Sequence, residues 1–304
     1  MITTPPYLQK GDTIAITCPA GYMGAEKIQT CVQKLKAEGY KVVVSKITVG
    51  GKSKNYFSGT DAQRASELQK YLDDKNVKAI LCGRGGYGTG RIIGMLDFAT
   101  FAQHPKWIIG FSDITILLSH IFTNYKVASL HAPMATAFAN EAHNPANVAS
   151  LLSALKGTKN NYPILPNKLN KIGDAKGTLI GGNIALLANA IGTSSDINTK
   201  NCILFIEDIG EQLYAVDRML YQLKRSGKLQ YLAALVVGEF SDMQNTDRPF
   251  GKTIYEIIHD IVAEYKYPVC YNFAVGHGTE NVALKIGVKY NLSITKKETT
   301  LTEL

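Results

Sequence analysis

Ser112 stands where an apolar run, WII, breaks off into GFSDIT. A hydroxyl at the end of a buried strand and the start of a helix is held outward, beside backbone N–H groups that have no intrahelical acceptor and are able to stabilise a developing oxyanion. The string GFSDI is not the G-x-S-x-G of the common hydrolase elbow, although strand–turn–helix is the same placement. Read alone, Ser112 serves equally well as a nucleophile or as a helix cap, with the cap expected near Asp113.

A serine nucleophile needs a base, and the chain has six histidines. His104, His143 and His259 sit in polar or helical surroundings typical of the surface, and His120 falls on the apolar side of a helix, where packing is its expected role. His131 ends a strand and is a second candidate. His277 stands apart because glycines flank it in VGHGTEN at an expected strand end, leaving the ring accessible and the backbone free to bend. The base in turn needs a carboxylate to fix its tautomer and stabilise the imidazolium. Glu207 follows the five apolar residues Cys202 to Ile206, where an acid is costly unless it has a partner. Asp208 and Glu211 are alternatives on the same segment.

A third segment, CGRGGYGTGR, carries Gly83, Gly85, Gly86, Gly88 and Gly90 between Arg84 and Arg91. Such a run turns sharply and presents backbone N–H groups to an anionic atom; the competing reading is a turn needed only for close packing. A dinucleotide site does not fit, because G-x-G-x-x-G should open the helix after the first strand of its unit and be followed by an acidic residue for a ribose.

Composition narrows the rest. The net charge of +8 invites a nucleic-acid reading, but the lysines are scattered one or two at a time with no basic tract interleaved with aromatics. A solvated basic surface is the better account, with a mild field favouring an acidic small substrate. The five cysteines are widely spaced with no C-x-x-C pair, which suits a reducing compartment and offers no zinc or redox motif. Cys82 at a strand end is expected to be buried. There is no apolar run of about 18 residues, and the start of the chain carries two prolines where a leader would be basic then apolar, so neither a membrane span nor a secretory leader is expected.

The elements that must hold these residues alternate. Strands are expected at Thr13 to Thr17, Lys41 to Lys46, Val77 to Cys82, Trp107 to Ser112 and in VASLHAP, with helices from Ala25 to Glu38, from Asp61, near Arg91 and up to Asn124. Thr60 and Gln63 have the spacing of a capping box, and Ala65, Leu68 and Leu72 share one face. Strands this apolar alternating with helices predict an α/β fold with a doubly wound parallel sheet over residues 1–156. Residues 157–177 lapse into Asn, Lys, Pro and Gly and read as a linker. Beyond it, 178–304 predicts a second, β-rich α/β domain. Its expected strands are TLIGGN, CILFIED, LAALVVGEF and PVCYNFAVG, its expected helices 183–191, 214–226 and 252–265, and it ends in a tail of short strands. In open α/β folds ligands gather at the carboxyl ends of strands, where the three chemically interesting segments lie.

GDTIAITCPAG, GRGGYGTGR, GFSDIT, GGNIALLANAIGT, IEDIGEQLYAVDRML and VGHGTEN, in that order, resemble the LD-carboxypeptidases, or muramoyltetrapeptide carboxypeptidases, over nearly the whole chain. The resemblance implies a serine peptidase with Ser112 as nucleophile, His277 as base and Glu207 as the orienting acid. It implies an oxyanion hole of backbone N–H groups, mapped here to Asp113 and to Gly85 or Gly86, and no cofactor or metal. The implied reaction removes the terminal D-alanine from a murein tetrapeptide during cytoplasmic cell-wall recycling, by a homodimer with its active site between an N-terminal doubly wound domain and a β-rich C-terminal one. No nucleic-acid or membrane partner is expected. Relatives of the family that cleave peptide–nucleotide antibiotics, and a muropeptide-binding protein without catalysis, are the alternatives. Arg84 is a candidate for the substrate's terminal carboxylate. Asn183 is a candidate for substrate contact or for capping its helix. One departure is LHAPM where the family pattern is HGPM, which puts Ala132 after His131.

Overall fold

The computed structural model describes residues 2–140 and 145–304; His143 lies outside the described residues. The chain forms two compact units, Met1–Thr158 with Val282–Lys285 and Lys159–Asn281 with Ile286–Leu304.

In the first unit β1 (Thr13–Thr17), β2 (Lys41–Val44), β3 (Val77–Cys82), β4 (Trp107–Gly110) and β5 (Ser129–His131) form a sheet in the order β5-β4-β3-β1-β2. All four of these pairings are parallel. The helices are α1 (Gln29–Ala37), α2 (Asp61–Asp73), α3 (Thr89–Ile92), α4 (Ala99–Gln103), α5 (Thr115–Tyr125) and α6 (Pro145–Leu155). Leu68 and Leu72 of α2, Ile80 and Ile108 of the central strands, and Leu117 and Ile121 of α5 bury one another in a single cluster. That burial, at about 25 cal/mol per Å², is what holds α2 and α5 to the sheet. α2 begins as its sequence requires, since the Thr60 side chain accepts from the Gln63 N–H while the Gln63 side chain accepts from the Thr60 N–H. The strand order reverses between β1 and β3, the point at which such sheets open a crevice at their carboxyl ends. The glycine run leaves β3 there, and the Gly21 N–H beyond β1 donates to the Gly85 carbonyl (3.0 Å).

The second unit carries β6 (Asn161–Ile164), β7 (Gly173–Asn183), β8 (Cys202–Ile209), β9 (Ala234–Ser241), β10 (Val269–Cys270), β12 (Lys289–Ile294) and β13 (Thr299–Glu303), ordered β10-β9-β8-β7-β12-β13-β6. The β10-β9-β8-β7 half is parallel and the β7-β12-β13-β6 half antiparallel. Its helices are α7 (Ile184–Ala190), α8 (Leu213–Arg225) and α9 (Ile254–Val262). A further strand, β11 (Leu284–Ile286), instead extends the first sheet beside β5.

Three expectations need correction. Residues 157–177 are not a bare linker: they contain β6 and the start of β7, and the second unit begins at Lys159. β6 is an edge strand with Pro163 in it, and the first part of β7 alternates half-buried with exposed residues, so neither has the apolar run that marks an inner strand. The domains are also not sequential, because Val282–Lys285 returns to the first unit. Finally, PVCYNFAVG is a ladder strand only at Val269–Cys270. Asn272 takes a left-handed φ of +64°, which breaks the pleat, and the chain then follows β9 through separate bonds from the Phe273 N–H to the Val237 carbonyl and from the Glu239 N–H to the Val275 carbonyl.

Candidate active site

Ser112 opens a single 3-10 turn, Ser112–Ile114, that runs directly into α5. Its φ is +61°, a left-handed conformation that costs an L-residue roughly 1–2 kcal/mol. The preceding Phe111 is fully extended at φ −150° and ψ −171°, so the chain reverses within one residue and the serine is thrust out of the strand's path. Ser112 is half-buried, whereas Ser119 and Ser129, the other serines nearby in sequence, are buried.

The turn is tied to the glycine run. The Asp113 carboxylate, buried under Ser112, accepts from the Thr89 N–H at the start of α3 (2.8 Å). Burial pushes this carboxyl above its usual range, against the pull of the Thr89 hydrogen bond. Asp113 does not cap its own helix, as its position in GFSDIT suggested; it fixes the far end of the glycine run to the serine turn. Gly85 then faces the serine. A Cβ built on it would stand 3.1 Å from Ser112 Cβ and 3.2 Å from Ser112 Oγ, so any side chain here would crowd the serine and displace it by a few tenths of an ångström. Gly86 has φ +99°, a left-handed conformation that glycine adopts without strain. The Asp113 amide lies in the first turn of a helix, where N–H groups lack intrahelical acceptors. Arg84 is exposed, and its Nη1 donates to the Tyr22 carbonyl (2.9 Å). Ala132, the departure from the family pattern, is buried with its N–H on the Gly110 carbonyl (3.3 Å), so the extra methyl is accommodated.

In the second unit His277 Nδ1 lies 2.7 Å from Glu207 Oε2. Glu207 is fully buried and the His277 side chain is 14 % exposed. A carboxylate in that position accepts a hydrogen bond from Nδ1–H, which keeps the neutral ring's proton there and leaves Nε2 as the basic nitrogen. Burial alone would hold the imidazole below its usual value, but the hydrogen bond and charge of Glu207, with the charges of Asp208 and Glu239, outweigh it and the His277 pKa is raised. Successive strand residues face opposite sides of a sheet, and this separates Glu207 from Asp208. Asp208 turns instead to the start of α7: Oδ1 accepts from Asn183 Nδ2 (2.7 Å) and from its neighbour Ile209 N–H (2.8 Å), and Oδ2 accepts from the Ala185 N–H (3.2 Å). Its carboxyl is raised to about 6, chiefly by burial. Asn183 is itself the N-cap of α7, with Oδ1 accepting from the Leu186 N–H (3.3 Å).

The remaining candidates fall away from this chemistry. His131 is buried with its ring 5.7 Å from that of Phe111, and His120 packs against Phe98 at 5.2 Å, its pKa lowered by burial. Cys82 is buried and its thiol pKa pushed up, chiefly by burial. Among the described residues no group of three or more His, Cys, Asp and Glu is arranged to hold a metal ion, and no helix is long and apolar enough to cross a membrane. The Asp113–Thr89 tie and the Asp208–Asn183 cap were not assigned from the sequence; the acid in each is followed or preceded by apolar residues, a weak signal of a buried partner.

Residues 14–132 match the LD-carboxypeptidase N-terminal domain and residues 176–292 the LD-carboxypeptidase C-terminal domain. A probable murein peptide carboxypeptidase of Bacillus subtilis strain 168 is 34 % identical over 96 % of this chain and 92 % of its own. The microcin C7 self-immunity protein of Escherichia coli is 26 % identical over 97 % and 94 %. Among solved structures, the muramoyltetrapeptide carboxypeptidase of Oxalobacter formigenes superposes with a TM-score of 0.87 at 29 % identity, covering 96 % of this chain and 98 % of that one. With a serine forced out of its strand in one unit, a carboxylate-bound histidine in the other, and both family domains matched in order, the chain belongs to the LD-carboxypeptidase family and is a carboxypeptidase.

Proposed function

We propose that this enzyme is a serine-type LD-carboxypeptidase that removes the terminal D-alanine from murein tetrapeptides during peptidoglycan recycling in the cytoplasm, as a homodimer. Ser112 is the nucleophile, His277 its base and Glu207 the group that orients the base. The observation that carries this reading is the 2.7 Å bond between His277 Nδ1 and the wholly buried Glu207, an arrangement that binding without catalysis does not require. His277 Nε2 takes the Ser112 proton as Oγ attacks the carbonyl carbon of the terminal peptide bond. The negative charge that develops on the carbonyl oxygen is met by the N–H groups of Asp113 and of Gly85 or Gly86. The imidazolium returns its proton to the alanine nitrogen as the C–N bond breaks, leaving an ester on Ser112 that water hydrolyses by the same route. Arg84 is the candidate for the terminal carboxylate, through the guanidinium nitrogens that do not hold Tyr22. Asn183 is assigned to capping α7, where its side chain is already engaged.

The microcin-immunity relative favours a second reading, cleavage of a peptide–nucleotide conjugate. Such a substrate calls for an aromatic platform for its base, and the single tryptophan, Trp107, is buried in the first unit against Tyr7. Mass spectrometry of the purified enzyme with muropeptides of three, four and five residues and with an aminoacyl-nucleotide conjugate tests both. Loss of one alanine from the tetrapeptide, unaffected by chelator, is expected. Faster cleavage of the conjugate than of the tetrapeptide would move the assignment to the second reading, and loss of all activity on chelation would overturn the serine mechanism.

A further inference from the structure

Three lysines of one short segment meet an arginine from the end of the glycine run at one place in the fold. Lys46, Lys52 and Lys54 line a cavity of ≈ 1000 Å³ in the first unit, together with Arg91, Phe57 and the start of α2 at Thr60. All three lysines are exposed, and none has an acidic partner among the described residues. Asp61 is the carboxylate on this wall, and its charge is already met: Arg91 holds both of its oxygens (2.7 Å at the closest) and Arg64 holds it from below. Arg64 is itself buried, fixed by the Pro19 and Gly88 carbonyls. The Phe57 ring packs against both guanidinium groups, 4.8 Å from that of Arg64 and 5.3 Å from that of Arg91, which stiffens this side of the cavity. Thr60 and Gln63 already close the start of α2, so the attraction for an anion rests on the side chains.

We propose that this cavity is a binding site for a small molecule carrying two or more negative charges, as phosphate or as carboxylate groups. An ion with one negative charge would leave most of the positive charge of the three lysines uncompensated. Three like charges facing one hollow repel one another, and an anion between them relieves that repulsion as well as adding its own attraction. Lysine, a mobile point charge with rotatable donors, suits both phosphate and carboxylate, so the class of anion is decided by the ligand's own geometry.

The test is calorimetric titration of the full-length protein at low ionic strength, with pyrophosphate in one arm and citrate in the other. Two variants are compared with the parent: the triple Lys46→Gln, Lys52→Gln, Lys54→Gln, and Ala62→Glu. The second keeps every lysine, places a carboxylate in the first turn of α2 where the helix favours it, and points negative charge into the cavity. One saturable site per chain is expected, weakened about tenfold or more in each variant and by added salt, with tetrapeptide turnover unchanged. Tighter binding in the pyrophosphate arm assigns a phosphorylated ligand, and tighter binding of citrate a polycarboxylate. Absence of saturable binding in both arms, or binding that neither variant weakens, overturns the proposal.

Discussion

Replacing Glu207 by Gln removes one charge from a site that water does not reach, while keeping the side chain's shape. The parent bond is 2.7 Å long and its acceptor is fully buried, so no solvent molecule takes the lost carboxylate's place. A hydrogen bond to a charged group is worth about 1.5–3 kcal/mol, and here it is worth most when the imidazole has taken the serine proton and become an imidazolium. At about 1.36 kcal/mol per decade this is roughly a 10- to 150-fold loss of kcat. A Gln that turns its NH₂ toward Nδ1 would also favour the tautomer protonated on Nε2, which cannot accept the proton. The expectation is therefore a fall of about a hundredfold, smaller than for Ser112→Ala or His277→Ala, which remove a bond-making group altogether. The pH profile adds an independent sign. Glu207 is the chief group that raises the His277 pKa against burial, with the charges of Asp208 and Glu239 adding to it, so the parent's activity should rise through a midpoint above ~6.5, and in Glu207→Gln, with only those two charges left to oppose burial, the midpoint should move to lower pH. The assay is alanine release from the tetrapeptide between about pH 5 and 8, with the thermal midpoint followed in parallel. A variant within twofold of the parent, or an acidic limb that does not move, would refute the role given to Glu207.

Ser112→Ala should lose at least about a thousandfold in kcat with stability within about 1 kcal/mol of the parent, whereas Ser112→Gly should be equally inactive yet more stable by about 1 kcal/mol, because glycine adopts the +61° φ without strain. Equal thermal midpoints for the two would argue against strain at this residue. In Gly85→Ala the new methyl meets Ser112 Oγ at 3.2 Å, so turnover should fall more than tenfold with a folded protein by circular dichroism, and near-native turnover would remove Gly85 from the serine's surroundings. Asn183→Ala removes the cap of α7 and one partner of Asp208, which should lower stability by about 1–2 kcal/mol. A rise in KM without that loss of stability would make Asn183 a substrate contact and not a cap.

Structure that depends on neighbours along the chain could be read without coordinates. The Thr60–Gln63 box starts α2 where its spacing says, because both partners lie within one turn. β1, β3 and β4 follow their apolar runs because a strand covered on both faces tolerates little else. β6 was hidden for the converse reason: an edge strand is satisfied by one neighbour, so polar residues and Pro163 fit it as well as they fit a loop. Six separated motifs in order were enough to place the chain in its family, since a chance match to one segment is not repeated in order along the whole chain. The choice among Glu207, Asp208 and Glu211 was not local. His277 is 70 residues from Glu207, and only the pairing of β8 between β7 and β9 settles which of its faces turns toward the histidine and which toward α7. In the same way the left-handed φ of Ser112 is imposed by where β4 and α5 must lie, with no signature in the residue type. The cationic cavity is the clearest case: Lys46, Lys52, Lys54 and Arg91 are unremarkable as a list, and become one charged surface because the turn after β2, the start of α2 and the end of the glycine run are brought together by the sheet they all leave.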